Sequence, residues 1–176
     1  MQYFKQFPKI IYDITGTGDY KLVTDLLRRV KVRDGIKNNI SLFDKYNVKD
    51  NETPERVSSR FYGTEDFWWV VLLMNNIKDR YYDWPLGIVQ FQNYMASKYA
   101  NADAIRHYEI VQTSGPTQIQ DNSHLIEVPS TTAGATSVSY REYENRLQDK
   151  KRQIKILDKQ YLNSFVEEFL ELINNK

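Results

Sequence analysis

The stretch Leu42–Asn76, LFDKYNVKDNETPERVSSRFYGTEDFWWVVLLMNN, decides the fold of this 176-residue chain. It opens with an alternating run at 42–48, which is typical of a strand with one face toward a core. Two helical patterns follow, at about 54–62 and 65–76, and Gly63 separates them. The order of strand, helix, turn and helix requires a closing strand elsewhere, because a lone strand leaves its backbone donors and acceptors unpaired.

Local chemistry supports the two helices. Thr53 can accept a hydrogen bond from an amide of the first helical turn, and Pro54 suits the first helical position. Gly63 can take the left-handed conformation that ends a helix, and Thr64 can begin the next one. The second pattern is apolar on every side, which indicates a buried helix. We therefore predict that at least two of four side chains are almost fully buried, namely Trp68, Trp69, Leu72 and Leu73.

The best candidate for the closing strand is Arg152–Leu157, far along the chain. We predict that it pairs antiparallel with 42–48. In that pairing Ile154 and Ile156 face the helices and Lys155 faces outward, because side chains alternate along a strand. Coordinates with a helix at 152–157 would contradict this fold.

The rest of the chain divides around this core, and the predicted class is α+β. Residues 1–41 form an N-terminal arm, 1–18, followed by a helix that Asp19 caps. That helix carries an apolar face of Leu22, Val23, Leu26, Leu27 and Val30. Residues 42–77 are the strand–helix–helix segment, and 152–176 hold the closing strand and a helix. The apolar stripe of this last helix is Leu162, Phe165, Val166, Phe169 and Ile173.

Residues 78–151 form a long insertion between the two parts of the core. It contains a helix after Pro85, a strand at His107–Val111, and a charged helix from about Tyr140. The segment 113–139 is rich in Ser, Thr, Gly and Pro, and only Leu125–Val128 in it has a strand pattern. Such a long loop is usually functional or disordered when alone.

Composition excludes several classes of protein. A net charge of +1 gives no reason to expect nucleic acid or an anionic membrane as a partner. The absence of cysteine removes disulfides and thiolate metal sites. The apolar run at Phe67–Met74 is far shorter than the roughly 20 residues that span a bilayer. The N-terminus lacks the apolar core of a secretory signal, so we expect the protein to be made and kept in the cytoplasm unless it is carried out within something larger.

No residue pattern identifies a catalytic or cofactor site. The histidines His107 and His124 lack acidic residues at metal-ligand spacing, and Gly16–Gly18 lacks the remaining residues of a phosphate-binding loop. Glutamates of the last helix fit a solvated face better than a glycosidase pair. A basic cluster is surrounded by acidic residues and indicates a mixed or ion-paired surface rather than a nucleic-acid site. Its members are Arg146, Lys150, Lys151, Arg152 and Lys155.

Two aromatic segments are candidate partner-binding sites. The first is Tyr81-Tyr82-Asp83-Trp84-Pro85, which is either a turn that caps the core or an exposed anchor, since Trp and Tyr dominate interface hot spots. The second is the N-terminal arm, whose aromatics must pack on this chain or on another one. The candidate partner-binding residues are therefore Tyr3, Phe4, Phe7, Tyr81, Tyr82 and Trp84.

The strand, the two helices and the late closing strand resemble a LysM module, a β-α-α-β unit best known for binding N-acetylglucosamine polymers. Two departures argue against saccharide binding here. Asp50-Asn51-Glu52-Thr53 stands where such modules usually have Gly-Asp-Thr, and the insertion from Lys78 replaces the second sugar-contacting loop.

An ordered set of segments across nearly the whole chain resembles the baseplate wedge protein family of contractile-tailed, T-even-like bacteriophages, which has a LysM-like core. The segments are YFKQFPKIIYD, ETPERVSSRFYG with FWWVVLLMNNI, DWPLGIVQFQNYMASKY, HYE, and VSYREYENRLQDKKRQIKIL. The resemblance implies a non-enzymatic virion component of the tail baseplate, without cofactor or small-molecule substrate, that is assembled in the host cytoplasm. Its implied partners are other wedge proteins, neighbouring wedges and the hub, and its implied role is to clamp neighbouring wedges together.

Two other functions remain open. The runner-up is a peptidoglycan- or chitin-binding LysM module, and a third reading is a muramidase, for which no carboxylate pair can be nominated. The clamp hypothesis adds an expectation about which segments are mobile in the isolated protein. Segments 1–18 and 113–139 have little apolar surface to offset about 1–2 kcal/mol of backbone entropy per residue. We therefore expect both to be mobile in the isolated protein and fixed in the baseplate, with Tyr3, Phe4 and Phe7 against a neighbour.

Overall fold

The computed structural model describes residues 3–32, 36, 39–111 and 125–174. Two compact units divide the chain: residues 1–84 with 152–176 form the first, and 85–151 form the second. The described elements are helices and small antiparallel sheets, which confirms the α+β class. The second unit lies within the segment 78–151 that is described from the sequence as an insertion.

Strands and helices occur in groups along the described part of the chain. In chain order they are β1 (Lys9–Asp13), β2 (Tyr20–Thr24), β3 (Phe43–Asn47), α1 (Pro54–Tyr62), α2 (Trp68–Met74), α3 (Arg80–Asp83), α4 (Ile88–Lys98), β4 (Ile105–Val111), β5 (Leu125–Val128), β6 (Thr136–Ser139), α5 (Tyr140–Arg152), β7 (Gln153–Leu157) and α6 (Lys159–Asn174). Short 3-10 turns precede β1, β3 and α2.

The strand that closes the first unit is β7, as the sequence predicts. It pairs antiparallel with β3, with Lys45 opposite Lys155. Ile154 and Ile156 are buried and Lys155 is exposed, so the predicted facing is also confirmed. The strand–helix–helix–strand order is therefore present, whereas the specific likeness of this unit to a LysM module stays a prediction.

Side-chain caps define the ends of the helices in this unit. Thr53 Oγ1 accepts a hydrogen bond from Arg56 N at 3.4 Å and begins α1, as predicted. Gly63 ends it with a φ of 80°, in the left-handed region. Thr64 Oγ1 then accepts from Asp66 N and starts a 3-10 turn at Glu65–Phe67, so α2 itself is shorter than the predicted 65–76 helix.

The core of the first unit surrounds α2. This helix buries Trp69, Val70, Val71 and Met74, whereas Trp68, Leu72 and Leu73 are only half-buried. The prediction that two of Trp68, Trp69, Leu72 and Leu73 are almost fully buried is therefore wrong, because only Trp69 is. The helix packs on α1, β7 and the rings of α6, and these neighbours leave part of its circumference only partly covered.

The helix α6 adds the stripe that the sequence predicts. Leu162, Phe169 and Ile173 are buried, and Phe165 and Val166 are half-buried against the same core.

The predicted helix from Asp19 is wrong, because residues 20–24 form the strand β2. This strand pairs antiparallel with β1, with Ile11 opposite Leu22. The spacing of the apolar residues fits a helix, but the ladder with β1 satisfies the backbone of both strands and overrides local propensity. Residues 9–24 are therefore a β-hairpin, where an extended arm and the start of a helix were expected.

The second unit contains a three-stranded antiparallel sheet in the order β5-β4-β6, together with α4 and α5. The predicted strands at 107–111 and 125–128 and the helix from Tyr140 are confirmed. The expectation of one strand in the Ser/Thr-rich segment is wrong, since β6 also lies there and buries Val138. Residues 113–124 of that segment, His124 among them, lie outside the described residues.

In the described part of the chain no helix is both long and apolar enough to cross a membrane.

Candidate assembly surfaces

The hairpin β1–β2 has a well-defined tip. Asp13 Oδ1 accepts hydrogen bonds from Thr15 N at 3.0 Å and Gly16 N at 2.8 Å, and its Oδ2 accepts from Gly18 N at 2.7 Å. These bonds, with that from Gly18 the strongest, lower the pKa of the Asp13 carboxyl. Both glycines have positive φ, 68° and 87°, which other residues rarely adopt. One carboxylate therefore organises the whole turn.

One face of this hairpin is apolar and exposed. Ile11 is 72% exposed, its cross-strand partner Leu22 is 64% exposed, and Tyr20 lies two residues from Leu22 on the same face. Ile14 at the tip is also exposed, as are Leu26 and Leu27 just after β2. Contiguous exposed apolar surface of this kind marks an interaction site. We refer to Ile11, Tyr20 and Leu22 as the hairpin face.

The N-terminal aromatics divide between core and surface. Tyr3 has its ring centroid 5.3 Å from that of Trp69 and 5.8 Å from that of Phe169, and Phe7 is buried. Both rings therefore pack on the chain's own core, where a neighbouring chain was expected. Burial raises the pKa of the Tyr3 hydroxyl. Of the three predicted residues only Phe4, 57% exposed, presents most of its ring to solvent.

The second aromatic segment is a short helical turn held by carboxylates. Asp79 Oδ1 accepts from Tyr81 N at 2.8 Å, and Asp83 Oδ2 accepts from Lys78 N at 3.0 Å. Arg80 forms a two-point ion pair with Glu55 of α1, at 2.7 and 3.2 Å. The turn is thereby fixed to the first unit.

Its three aromatics have different surroundings. Trp84 is buried and donates from Nε1 to the Glu52 carbonyl at 2.8 Å, so it anchors the turn in the core. Tyr81 and Tyr82 are 84% and 76% exposed. Of the three predicted anchor residues, Tyr81 and Tyr82 are therefore exposed to solvent, whereas Trp84 is part of the core.

A polar groove of about 530 Å³ lies beside α1. Buried Glu52 is tied into its wall: Oε2 accepts from the Tyr46 hydroxyl at 2.8 Å and from Lys49 N at 3.0 Å, and Oε1 pairs with Arg60 at 3.0 Å. Burial, with the Glu52 bond second, raises the pKa of Tyr46. Through these contacts Glu52 joins Tyr46 of β3, Lys49 of the following loop and Arg60 of α1, so its role is structural. The residues around the groove are all polar, namely Lys49, Asp50, Glu52, Arg56, Ser59, Arg60 and Glu65.

The second unit contains ion pairs in which a buried carboxylate meets a partly exposed basic side chain. Glu144 Oε1 accepts from Lys98 Nζ at 2.8 Å and from the Tyr99 hydroxyl at 2.7 Å. Buried Glu109 pairs with Arg146 at 2.8 Å. The interpretation of the basic cluster as an ion-paired surface is thus confirmed for Arg146. His107 lies 3.6 Å from Glu109, and the described residues contain no group of three or more acidic or His side chains placed to hold a metal ion.

Comparison with known proteins identifies the family. Residues 22–124, more than half of the chain, match the family described as base plate wedge protein 53. The chain belongs to this family. It is also similar to baseplate wedge protein gp53 of Enterobacteria phage T4, with 27% identity over 172 residues that cover 86% of this chain and 84% of that protein.

Membership in this family confirms the resemblance seen in the sequence and supports a structural role in the phage tail baseplate. The matched residues extend from β2 past β4 and include Tyr81, Tyr82 and Trp84. They exclude Tyr3, Phe4 and Phe7, which lie before the match.

Sequence reasoning missed the hairpin face. The available signal was the tip, Asp13 followed by glycines at 16 and 18, between two segments rich in Ile, Leu, Val and Tyr. Such a pattern is typical of two strands joined by a turn.

Proposed function

We propose that the protein is a non-enzymatic clamp that holds neighbouring baseplate wedges together around the central hub. The observation that carries this proposal is the hairpin face, where cross-strand Ile11 and Leu22 both lie open to solvent. A two-stranded hairpin is only marginally stable by itself. Coverage of this face by another chain would remove apolar side chains from water and stabilise the hairpin at the same time.

Further exposed aromatics supply additional contact points. Tyr81 and Tyr82 stand on a turn that is fixed by Asp79, Asp83 and the Arg80–Glu55 pair. Aromatic side chains on a rigid support lose little conformational entropy on binding and are enriched among interface hot spots. Phe4 adds a third exposed ring. A clamp requires more than one contact surface, and these residues supply them.

The partners that we propose are other wedge proteins and the adjacent wedge. The protein would act in the virion, at the tail baseplate, after assembly in the host cytoplasm. No cofactor, nucleic acid or small-molecule substrate takes part in this role. The family of baseplate wedge proteins and the exposed apolar surfaces support the proposal.

Mutation of the hairpin face tests it. The variant Ile11→Asp places a charge on the face, and Lys21→Asp, on the opposite face of the same hairpin, is the matched control. Loss of one buried Ile contact costs about 1.5–3 kcal/mol, which corresponds to a roughly ten- to hundredfold loss of affinity. We expect Ile11→Asp to co-sediment poorly with purified wedge intermediates and Lys21→Asp to behave as wild type. Equal co-sedimentation of all three proteins would contradict the proposal.

The alternative function is saccharide binding by the LysM-like unit, and the polar groove beside α1 is the observation that favours it. The groove lies next to the 49–52 loop, and this position favours the alternative. Its lining, however, lacks the aromatic and apolar side chains that usually dominate small-ligand sites, which counts against it. A pull-down on purified peptidoglycan separates the two functions. The clamp proposal predicts no retention, whereas specific retention that is lost on Arg56→Ala would favour the saccharide-binding alternative.

A further inference from the structure

The two-stranded β3–β7 sheet has two different edges. On the β7 edge, the Asn75 side chain acts as a pseudo-strand: Lys155 N donates to Asn75 Oδ1 and Asn75 Nδ2 donates to Lys155 O, both at 2.8 Å. The Tyr62 hydroxyl donates to the Leu157 carbonyl at 3.2 Å on the same edge. Burial raises the pKa of this hydroxyl, so it stays protonated as a donor. Side chains therefore occupy the β7 edge at both outward backbone groups of Lys155 and at the Leu157 carbonyl.

These bonds fix the direction of the backbone groups on β3. In an antiparallel pair, opposite residues alternate between those that bond each other and those whose N–H and C=O groups point away from each other. The backbone N–H and C=O of Lys155 point away from β3. The same groups of Lys45, directly opposite, therefore point away from β7. The hydrogen bonds from Val48 N to Arg152 O and from Asp158 N to Leu42 O join residues at alternate positions along the two strands, as this pattern requires.

The outer edge of β3 is open. By the same alternation Phe43, Lys45 and Asn47 all direct their backbone N–H and C=O groups outward, and within the described residues no hydrogen bond reaches these groups. Unpaired strand edges accept further strands, and proteins normally block them. Here side chains block the β7 edge at Lys155 and the Leu157 carbonyl, whereas the β3 edge is open, which gives three residues of β3 the capacity to pair with an extended chain.

Charge identifies the kind of chain that fits. Lys45 and Lys155 lie directly opposite each other on one exposed face, and like charges in this position destabilise a sheet. A second copy of β3 would add another Lys45 beside them and increase the repulsion. An acidic residue beside Lys45 would relieve it. The charge pattern therefore disfavours self-pairing and favours an acidic partner segment.

We propose that the open edge of β3 binds an extended acidic segment of another polypeptide as a third strand of this sheet. The inference rests on the proposed function in so far as that segment belongs to a baseplate partner. It names the chemistry of one clamp contact, and this contact is separate from the hairpin face.

The test uses the full chain and two synthetic peptides. One peptide alternates Glu with Val and Thr, and its control has Lys in place of every Glu. Amide hydrogen exchange is followed by NMR at millimolar peptide. We expect the Glu peptide to slow exchange at Phe43, Lys45 and Asn47 at least tenfold and the Lys peptide to leave it unchanged.

Two variants make the test specific. Lys45→Glu keeps the backbone donor and reverses the charge, so it should lose the Glu peptide and bind the Lys peptide. Lys45→Pro removes the outward N–H as well as the charge, a change that an edge strand tolerates, and should bind neither peptide. No protection with the Glu peptide, or equal binding to Lys45→Pro, would overturn the inference. Wedge co-sedimentation of the wild-type chain without edge protection would overturn this inference alone, whereas edge protection without co-sedimentation would support the strand site and count against the clamp.

Discussion

At the scale of single residues, Trp69 connects separate parts of the first unit. Its ring centroid lies 4.5 Å from that of Phe169 and 5.3 Å from that of Tyr3, so it joins α2 to α6 and to the N-terminus. Aromatic pairs at such distances stabilise the folded state beyond the contribution of their buried apolar area. Tyr3 is thus better explained as part of this core than as a partner contact.

Truncation of this ring should be costly. Trp69→Ala should lower the free energy of unfolding by about 3–5 kcal/mol, because it removes a buried aromatic and leaves a cavity. Chemical denaturation followed by circular dichroism measures the change. Trp68→Ala is the matched control and should cost less, since Trp68 is only half-buried. Unchanged stability of Trp69→Ala would mean that α2 is an exposed interface element.

Glu144 gives a pH-dependent prediction. Burial opposes ionisation of its carboxyl, but the bonds from Lys98 and Tyr99 prevail and lower its pKa. A lowered pKa in the folded state contributes stability above the unfolded value of about 4.3, and this contribution is lost as pH falls through the folded value. Wild type should therefore lose thermal stability below about pH 4 more steeply than Glu144→Gln. Parallel pH profiles of the two proteins would contradict this.

Sequence reasoning succeeded for residues whose chemistry is local. Thr53 and Gly63 act on backbone groups within a few residues, so their roles can be predicted from order alone. The surroundings of Phe7 and Trp84 depend on distant residues such as Glu52, which accepts the Trp84 hydrogen bond across 32 positions. A short aromatic turn has no periodicity that would indicate which of its rings face inward.

At the scale of elements, Asn75 occupies the middle of the β7 edge. Asn75→Ala should lower the free energy of unfolding by about 1–3 kcal/mol, because two backbone groups of Lys155 lose their partner. Asn163→Ala, on the exposed side of α6, is the control and should have little effect. Denaturation curves measure both variants. Equal stability of the two would show that water replaces the Asn75 amide without cost.

The strand β2 shows where element prediction fails. Leu22, Val23, Leu26 and Leu27 have a spacing that a helix can bury on one face, yet the structure places Leu22 in a ladder opposite Ile11. The pairing partner lies across the Asp13 turn, and a window confined to residues 19–30 excludes it. By contrast, β7 could be predicted because an unpaired β3 demanded a partner and Gln153–Leu157 alternates clearly.

At the scale of the whole molecule, a compact insertion interrupts the chain between α3 and β7. From the sequence, the aromatics of 1–18 were expected to lie against a neighbouring chain. In the structure Tyr3 and Phe7 pack on the first unit itself. The exposed apolar and aromatic side chains of this unit include the hairpin face, Phe4 and the Tyr81–Tyr82 pair. Sequence could place aromatics in these segments, but it could not separate core from surface because burial is a property of the folded chain.

Hydrogen exchange on the isolated protein and on the assembled baseplate tests the clamp most directly. The prediction is that amides of β1 and β2, together with those of Tyr81 and Tyr82, exchange at least tenfold more slowly in the baseplate. Amides of α2 serve as the internal reference, because that helix is core in both states. Equal protection of the hairpin in both states would contradict the clamp and would favour a self-contained binding module.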